Sequence, residues 1–220
     1  MPEISIMPEA FIIGGVNVGW SVVVAWAVIA VLTALLLIAQ RFIRRMEKVP
    51  HGLQNLLELI VDGIDRFAQS KIGPVADFAA PIVLTFMVYI MGTTLVELFG
   101  ITPATEDVNC TLALGLSAFV MVNVTAIKHR GLFGRLRSLT HPYAVALPIR
   151  VITDCISPLS MAIRLFSNVL AGSVIMKLLY AVVPVVVPAA LSAYFTVLDT
   201  GIQTFVFGML TLVYINEAIE

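Results

Sequence analysis

Charged residues and cysteines are scarce in this sequence. Charged side chains make up 12% of its 220 residues and hydrophobic side chains 60%, whereas soluble domains are about a quarter charged. This composition indicates a single integral membrane domain over residues 1–220. Cys110 and Cys155 lie in apolar surroundings without metal-ligand spacing, so we predict neither a disulfide framework nor a metal site.

Features of nucleic-acid-binding and secreted proteins are also missing. The net charge is −1, and no basic patch alternates with aromatic residues, which argues against nucleic acid as a partner. The first apolar run is too long for a cleavable signal peptide, follows acidic residues and ends in arginines. We therefore expect this run to be a membrane span.

Long uncharged runs predict an all-α polytopic membrane fold with about five transmembrane helices. A crossing needs about 20 apolar residues. Residues 1–50 are expected to form an outer amino terminus and a first span with its core at Trp20–Ile38, and residues 78–127 to form the next two spans, 78–96 and 108–127. Residues 143–219 are too long for one crossing.

Two further segments complete the predicted organisation. Pro184 and Pro188 fall near the middle of 143–219 and predict a turn, which makes this segment a long helical hairpin. Residues 51–75 place apolar residues at three- and four-residue spacing between charged ones. That pattern is typical of an amphipathic helix on the membrane surface.

The distribution of charge predicts the orientation. Basic residues cluster in 41–48 and 128–137, which we interpret as cytoplasmic loops by the positive-inside rule. The amino terminus and the loop 97–107 are acidic and are expected to face outward. Five crossings then place the carboxyl terminus in the cytoplasm.

The hairpin carries very little charge. Between Asp154 and Glu217 only Arg164, Lys177 and Asp199 are charged. Arginine stays protonated at physiological pH, and at mid-membrane it costs roughly 2.5–3.5 kcal/mol on insertion scales. Arg164 therefore requires a partner, which can be a carboxylate, a water-filled cavity or another protein.

Other polar residues of the hairpin share helix faces with the charged ones. Arg164 and Asn168 are four residues apart, and Thr196, Asp199 and Gln203 are spaced by three and four, so each set shares a face. These two polar faces together form a polar seam. Such a seam indicates an ion path or a buried pair, for example an Arg164–Asp199 salt bridge. Ser173 and Lys177 are predicted to lie on roughly the opposite side of their helix from Arg164.

Four stretches of sequence resemble one known family. The run from Pro158 to Gly172, PLSMAIRLFSNVLAG, resembles the arginine-bearing helix of subunit a, the stator of the Fo sector of rotary ATP synthases. Three further stretches resemble sequence motifs of the same family: DVNCTLAL from Asp107, LPIRVITD from Leu147 and IQTFVFGMLTLVYI from Ile202. These stretches occur in the family's order, and the resemblance covers roughly residues 50–219.

The resemblance implies a role for Arg164. In this family the arginine faces a ring of c subunits with membrane-buried carboxylates, attracts each ionised carboxylate and blocks leakage between two offset half-channels. The partners implied are the c-ring, b-type peripheral stalk subunits, the remaining ATP synthase complex and the lipid bilayer. The chain would not be an enzyme on its own, and no cofactor and no catalytic residue are expected. We expect a bacterial plasma membrane rather than a thylakoid, and the ion to be a proton or sodium.

This sequence departs from the family pattern at two positions. Many members have a glutamate nine residues after the arginine, and a histidine or glutamate seven residues before the glutamine of the last helix. Here these positions hold Ser173 and Thr196. We expect Asp199 to supply the missing carboxylate, near Asn168 if Arg164 lies level with Gln203. Lys177 is expected to snorkel or to line the outer vestibule, and Asp154 to line the inner half-channel or end in solvent.

Other function classes fit less well. A secondary transporter would use Arg164 to bind an anion between broken helices and would favour inverted repeats, which the sequence lacks. An intramembrane protease would need a catalytic serine–histidine pair or paired aspartates in the bilayer, but His51, His129 and His141 lie outside the predicted cores of the spans. A passive scaffold would leave the polar seam without a role.

Overall fold

A short β-hairpin precedes the helices. The computed structural model describes residues 10–13, 16–43, 53–99, 101–140, 147–182 and 186–219. Within them, β1 (Ala10–Ile13) pairs antiparallel with β2 (Val16–Gly19). The sequence-based prediction did not include this hairpin, because it lies in an uncharged run. Gly14 and Gly15 were the available signal, since such a pair is typical of hairpin turns.

Helices dominate the rest of the described chain. Five are long and apolar enough to cross a membrane, which confirms the predicted all-α polytopic fold with five spans. The spanning segments are Trp20–Arg41, Ala76–Phe99, Val108–Gly131, Ile156–Met176 and Thr196–Ile219. The helices are α1 (Trp20–Ile43), α2 (Leu53–Ile72), α3 (Ala76–Leu95), α4 (Val108–Thr140), α5 (Leu147–Val182) and α6 (Val186–Ile219).

The second helix is amphipathic, as its sequence predicted. Ala68 and Ile72 of α2 are buried in a cluster with residues of α3 and α6. On the opposite side Arg66 and Asp62 form an exposed ion pair of 2.7 Å. One face of α2 therefore packs on the bundle and the other is polar.

The core lies where α3 and α4 meet the hairpin helices α5 and α6. One cluster brings together Ile90 of α3, Leu114 of α4, Leu165 of α5 and Phe207 of α6. Gly115 of α4 permits this packing, because a Cβ atom there would lie 2.6 Å from the Pro158 carbonyl oxygen of α5. The four helices thus form the scaffold that positions the polar residues of the hairpin.

The basic segment 128–137 differs from the predicted loop. It is helical and belongs to α4, which contains one break at Gly131, where φ is 75° and ψ is 164°. A positive φ is accessible to glycine at little cost, so the helix can change direction at this residue. Before the break, Lys128 places its Nζ 3.8 Å from the centroid of the Phe78 ring.

Candidate functional site in the terminal hairpin

Arg164 lies on the exposed face of α5. The next residue, Leu165, is completely buried in the core, whereas Arg164 is exposed in the isolated chain. Within the part of the chain that the structure describes, Arg164 has no hydrogen-bond or ion-pair partner. The internal Arg164–Asp199 salt bridge considered from the sequence is therefore not formed in this part.

A hydrogen bond joins the two helices of the hairpin beside Arg164. Asn168 Nδ2 donates to Gln203 Oε1 at 2.7 Å, and Gln203 is 6% exposed. Asn168, rather than Arg164, is thus opposite Gln203. The register assumed from the sequence is wrong by one turn, and Asp199 is level with about Gly172 in antiparallel helices.

A second hydrogen bond links the hairpin to a residue that sequence reasoning missed. Ser173 Oγ donates to Glu106 Oε1 at 3.0 Å, and Ser173 is 5% exposed. Glu106 ends the 3-10 turn Ala104–Glu106, which precedes α4 and packs against α5. Its acidity was read only as a signal of orientation, because residues 67 apart in sequence give no local hint of contact.

Threonines form a buried row on α6. Thr196, Thr200 and Thr204 follow at four-residue spacing and are all buried. The hydroxyl oxygens of Thr200 and Thr204 have no hydrogen-bond partner among the described residues, and neither has that of Thr105. Buried hydroxyls in this state retain the capacity to bind water or an ion.

The remaining predicted residues are not brought into this network. Asp199 is exposed on α6, one turn before Gln203. The backbones of Asp154 and Lys177 belong to α5, but their side chains lie outside the described part. The structure therefore joins Asn168 with Gln203 and Ser173 with Glu106, and it leaves Arg164 and Asp199 on the surface of the chain.

A small open pocket lies between α4, α5 and α6, at the end of the bundle far from Glu106. Sequence reasoning did not predict it, because its walls come from three separate helices. Most of its lining is apolar. The polar residues in its wall are Asn123, Ser157, Thr211, Tyr214 and Glu217.

The fold and the hairpin define a class of protein. The chain is a polytopic helical membrane protein with an arginine, an amide pair and buried hydroxyls in its last two spans. Ionisable residues in such spans are typical of ion paths and functional pairs.

Comparison with known proteins identifies the family. The sequence profile described as ATP synthase A chain matches residues 22–216. The chain is 32% identical over 201 residues to ATP synthase subunit a 1 of Syntrophotalea carbinolica, covering 89% of this chain and 84% of that protein. It is 33% identical over 205 residues to ATP synthase subunit a of Trichlorobacter lovleyi, covering 91% and 87%. Identity to ATP synthase subunit a of Moorella thermoacetica is 27% over 213 residues, covering 96% of both. The chain therefore belongs to the ATP synthase A chain family.

Proposed function

We propose that this chain is the stator subunit a of a rotary F-type ATP synthase, in which it couples ion flow to rotation of a c-subunit ring. The observation that carries the proposal is Arg164. It is a permanent cation on the exposed face of a span, and it has no partner among the described residues. In a membrane such a charge needs a partner, and the family resemblance implies that the partner is a carboxylate on the ring.

The position of Arg164 suits this role. A ring carboxylate that arrives at the hairpin with its ion bound releases that ion to a half-channel, because the guanidinium attracts and stabilises the ionised carboxylate. Because arginine does not lose its proton when desolvated, the charge also blocks direct leakage between the two half-channels. The Asn168–Gln203 hydrogen bond fixes the two helices beside it. Moving one charge across ~100 mV is worth about 2.3 kcal/mol, so several ions are needed for each ATP.

The two half-channels are proposed to open at opposite ends of the hairpin. Ser173 and Thr196 occupy the outward part, with Lys177 toward the outer turn. Asp199, exposed one turn from Gln203, is proposed to exchange ions with the ring. The open pocket between α4, α5 and α6 is proposed to form part of the inner half-channel, with Asp154 near its cytoplasmic end.

The remaining assignments follow from this role. The carboxyl terminus is proposed to be cytoplasmic and the amino terminus to face outward, in a bacterial plasma membrane. The exposed hairpin face would contact the c-ring, and the b-type stalk subunits would hold the chain against rotation.

Arg164→Ala tests the proposed function. In vesicles containing the whole ATP synthase, we expect this variant to abolish ATP-driven ion pumping while the complex still assembles, because no other charge replaces the guanidinium. Arg66→Ala is the matched control, since Arg66 is exposed on α2 and pairs only with Asp62 in the described structure. Pumping by Arg164→Ala at the rate of the Arg66→Ala complex would contradict the proposal.

A further inference from the structure

We propose that Glu106 is the acid that takes up the translocated proton on the outward side of this protein, and that Ser173 positions it. The inference rests on the function proposed above. The 3.0 Å hydrogen bond from Ser173 Oγ ties the Glu106 carboxylate to the helix that carries Arg164. Ser173 is buried and Glu106 is half-buried, so the carboxylate can contact both the outer solution and the interior of the bundle.

Groups other than the Glu106 side chain cap α4 and close the turn before it. The next residue, Asp107, caps α4, because its Oδ1 accepts hydrogen bonds from the backbone nitrogen and the Nδ2 of Asn109. The 3-10 turn is closed by main-chain bonds, with the Glu106 nitrogen donating to the Pro103 carbonyl. The turn and the helix start therefore have their own partners, and the Glu106 side chain is directed to Ser173 instead.

Ser173 can remain hydrogen-bonded to Glu106 when Glu106 gains or loses a proton. Its hydroxyl lies 3.0 Å from Glu106 Oε1 and 3.1 Å from the Leu170 carbonyl, so its single proton has two acceptors. When Glu106 is ionised, Ser173 donates to the carboxylate. When Glu106 is protonated, Glu106 can donate to Ser173 Oγ while Ser173 donates to Leu170. The pair is thus hydrogen-bonded in both states.

The buried hydroxyls of α6 continue from this pair toward Gln203. The Asn168–Gln203 bond sets the hairpin register, on which Ser173 is opposite about residue 198, between Thr196 and Thr200. Thr200 and Thr204 have buried hydroxyls without a hydrogen-bond partner among the described residues, and Gln203 lies between them in sequence. A proton released by Glu106 can pass along these hydroxyls and water to the ring carboxylate, which accepts it. Glu106 then returns to its ionised form and no net proton is retained.

The elements packed around the 3-10 turn carry other ionisable groups along their length. The outer part of α1 contributes none before Arg41. Glu106 is hydrogen-bonded to Ser173, at the position where many family members carry their own carboxylate. The ionisable residues on the other elements that pack against the turn, or directly beside it, are Asp77, Tyr89, Glu97, Asp107, Cys110, Lys128, His129, Arg130, Arg135, Arg137, Arg150, Asp154, Cys155, Arg164, Lys177 and Tyr180.

The test uses ATP synthase vesicles and the initial rate of ATP-driven acidification. We expect Glu106→Gln to lower this rate by about 100-fold, a loss typical of removing a proton-transferring group. Glu97→Gln, which removes another acid from the same end of the bundle, should pump at the rate of the unchanged protein. Both complexes should assemble and hydrolyse ATP.

An exchange variant separates proton transfer from a structural role. Glu106→Ser combined with Ser173→Glu puts the carboxylate back at the same place from the α5 side, and it should recover pumping to within about tenfold of the unchanged protein. Unchanged pumping by Glu106→Gln overturns the inference, and so does a defect that the exchange leaves uncorrected. If Arg164→Ala abolishes pumping in these experiments, the proposed function stands even where Glu106 fails.

Discussion

Two groups of buried threonines differ in how their hydroxyls are used. In α3 and α4 the hydroxyls of Thr93, Thr94 and Thr125 donate to carbonyl oxygens one turn earlier, at 2.9, 2.9 and 2.8 Å. On α6, Thr200 and Thr204 are buried as deeply, but their hydroxyls have no partner in the described chain. The first region satisfies its own polar groups, whereas the second retains hydrogen-bonding capacity.

The glycines show the same difference. The space beside Gly115 in α4 is occupied by α5, and a Cβ at Gly208 in the C-terminal half of α6 would meet Met87 Sδ at 2.7 Å. Gly172 and Gly201, in the half of the hairpin nearer its turn, have no atom of the described chain within 4 Å of such a Cβ. Packing within the chain is therefore tight at Gly115 and Gly208, while Gly172 and Gly201 face free space for water or a partner.

Gly115→Ala should have the largest effect on folding. Its Cβ would collide with the Pro158 carbonyl oxygen, which is backbone and cannot rotate away, so we expect destabilisation of about 1–3 kcal/mol. Gly172→Ala meets open space and should leave stability unchanged. Thermal unfolding of the purified chain in detergent measures both, and equal unfolding temperatures for the two variants would refute the contrast.

Thr200→Val and Thr204→Val should have a smaller effect, mainly on transport. If their hydroxyls carry protons, the double variant should slow ATP-driven pumping about fivefold, or ~1 kcal/mol in activation free energy. Thr125→Val removes a hydroxyl already bonded to Met121 and should leave the pumping rate unchanged.

The same variants should act on stability in opposite directions. At Thr200 and Thr204 valine removes a buried hydroxyl that has no partner in the described chain, which should raise the unfolding temperature. At Thr125 it removes an existing hydrogen bond, which should lower it. Equal shifts in unfolding temperature for the Thr200/Thr204 double variant and for Thr125→Val would show that the hydroxyls of Thr200 and Thr204 have no distinct role.

The sequence alone predicted local features of the fold and the site. Long apolar runs define the spans. A guanidinium within such a run marks Arg164 as a candidate functional residue, regardless of its contacts. Spacing along one helix also placed Ser173 on the face opposite Arg164, as the structure confirms. The contact between Ser173 and Glu106 was not predictable, because it depends on how the turn before α4 packs on α5. The hairpin register was missed by one turn for a similar reason, since periodicity tells which residues share a face but not how far two helices slide.

The smallest expected effect is the coupling energy of the Asn168–Gln203 hydrogen bond, and its measurement tests the register of the hairpin. A double-mutant cycle with Asn168→Ala and Gln203→Ala should give a coupling of ~0.6 kcal/mol, the average for polar contacts between membrane helices. The cycle of Arg164→Ala with Gln203→Ala is the control, because the structure shows no bond between these two side chains. Unfolding of the chain in detergent measures both couplings. A larger coupling for Arg164 with Gln203 would restore the register expected from sequence and move Ser173 away from Thr200, so this comparison also tests where the polar row of α6 meets α5.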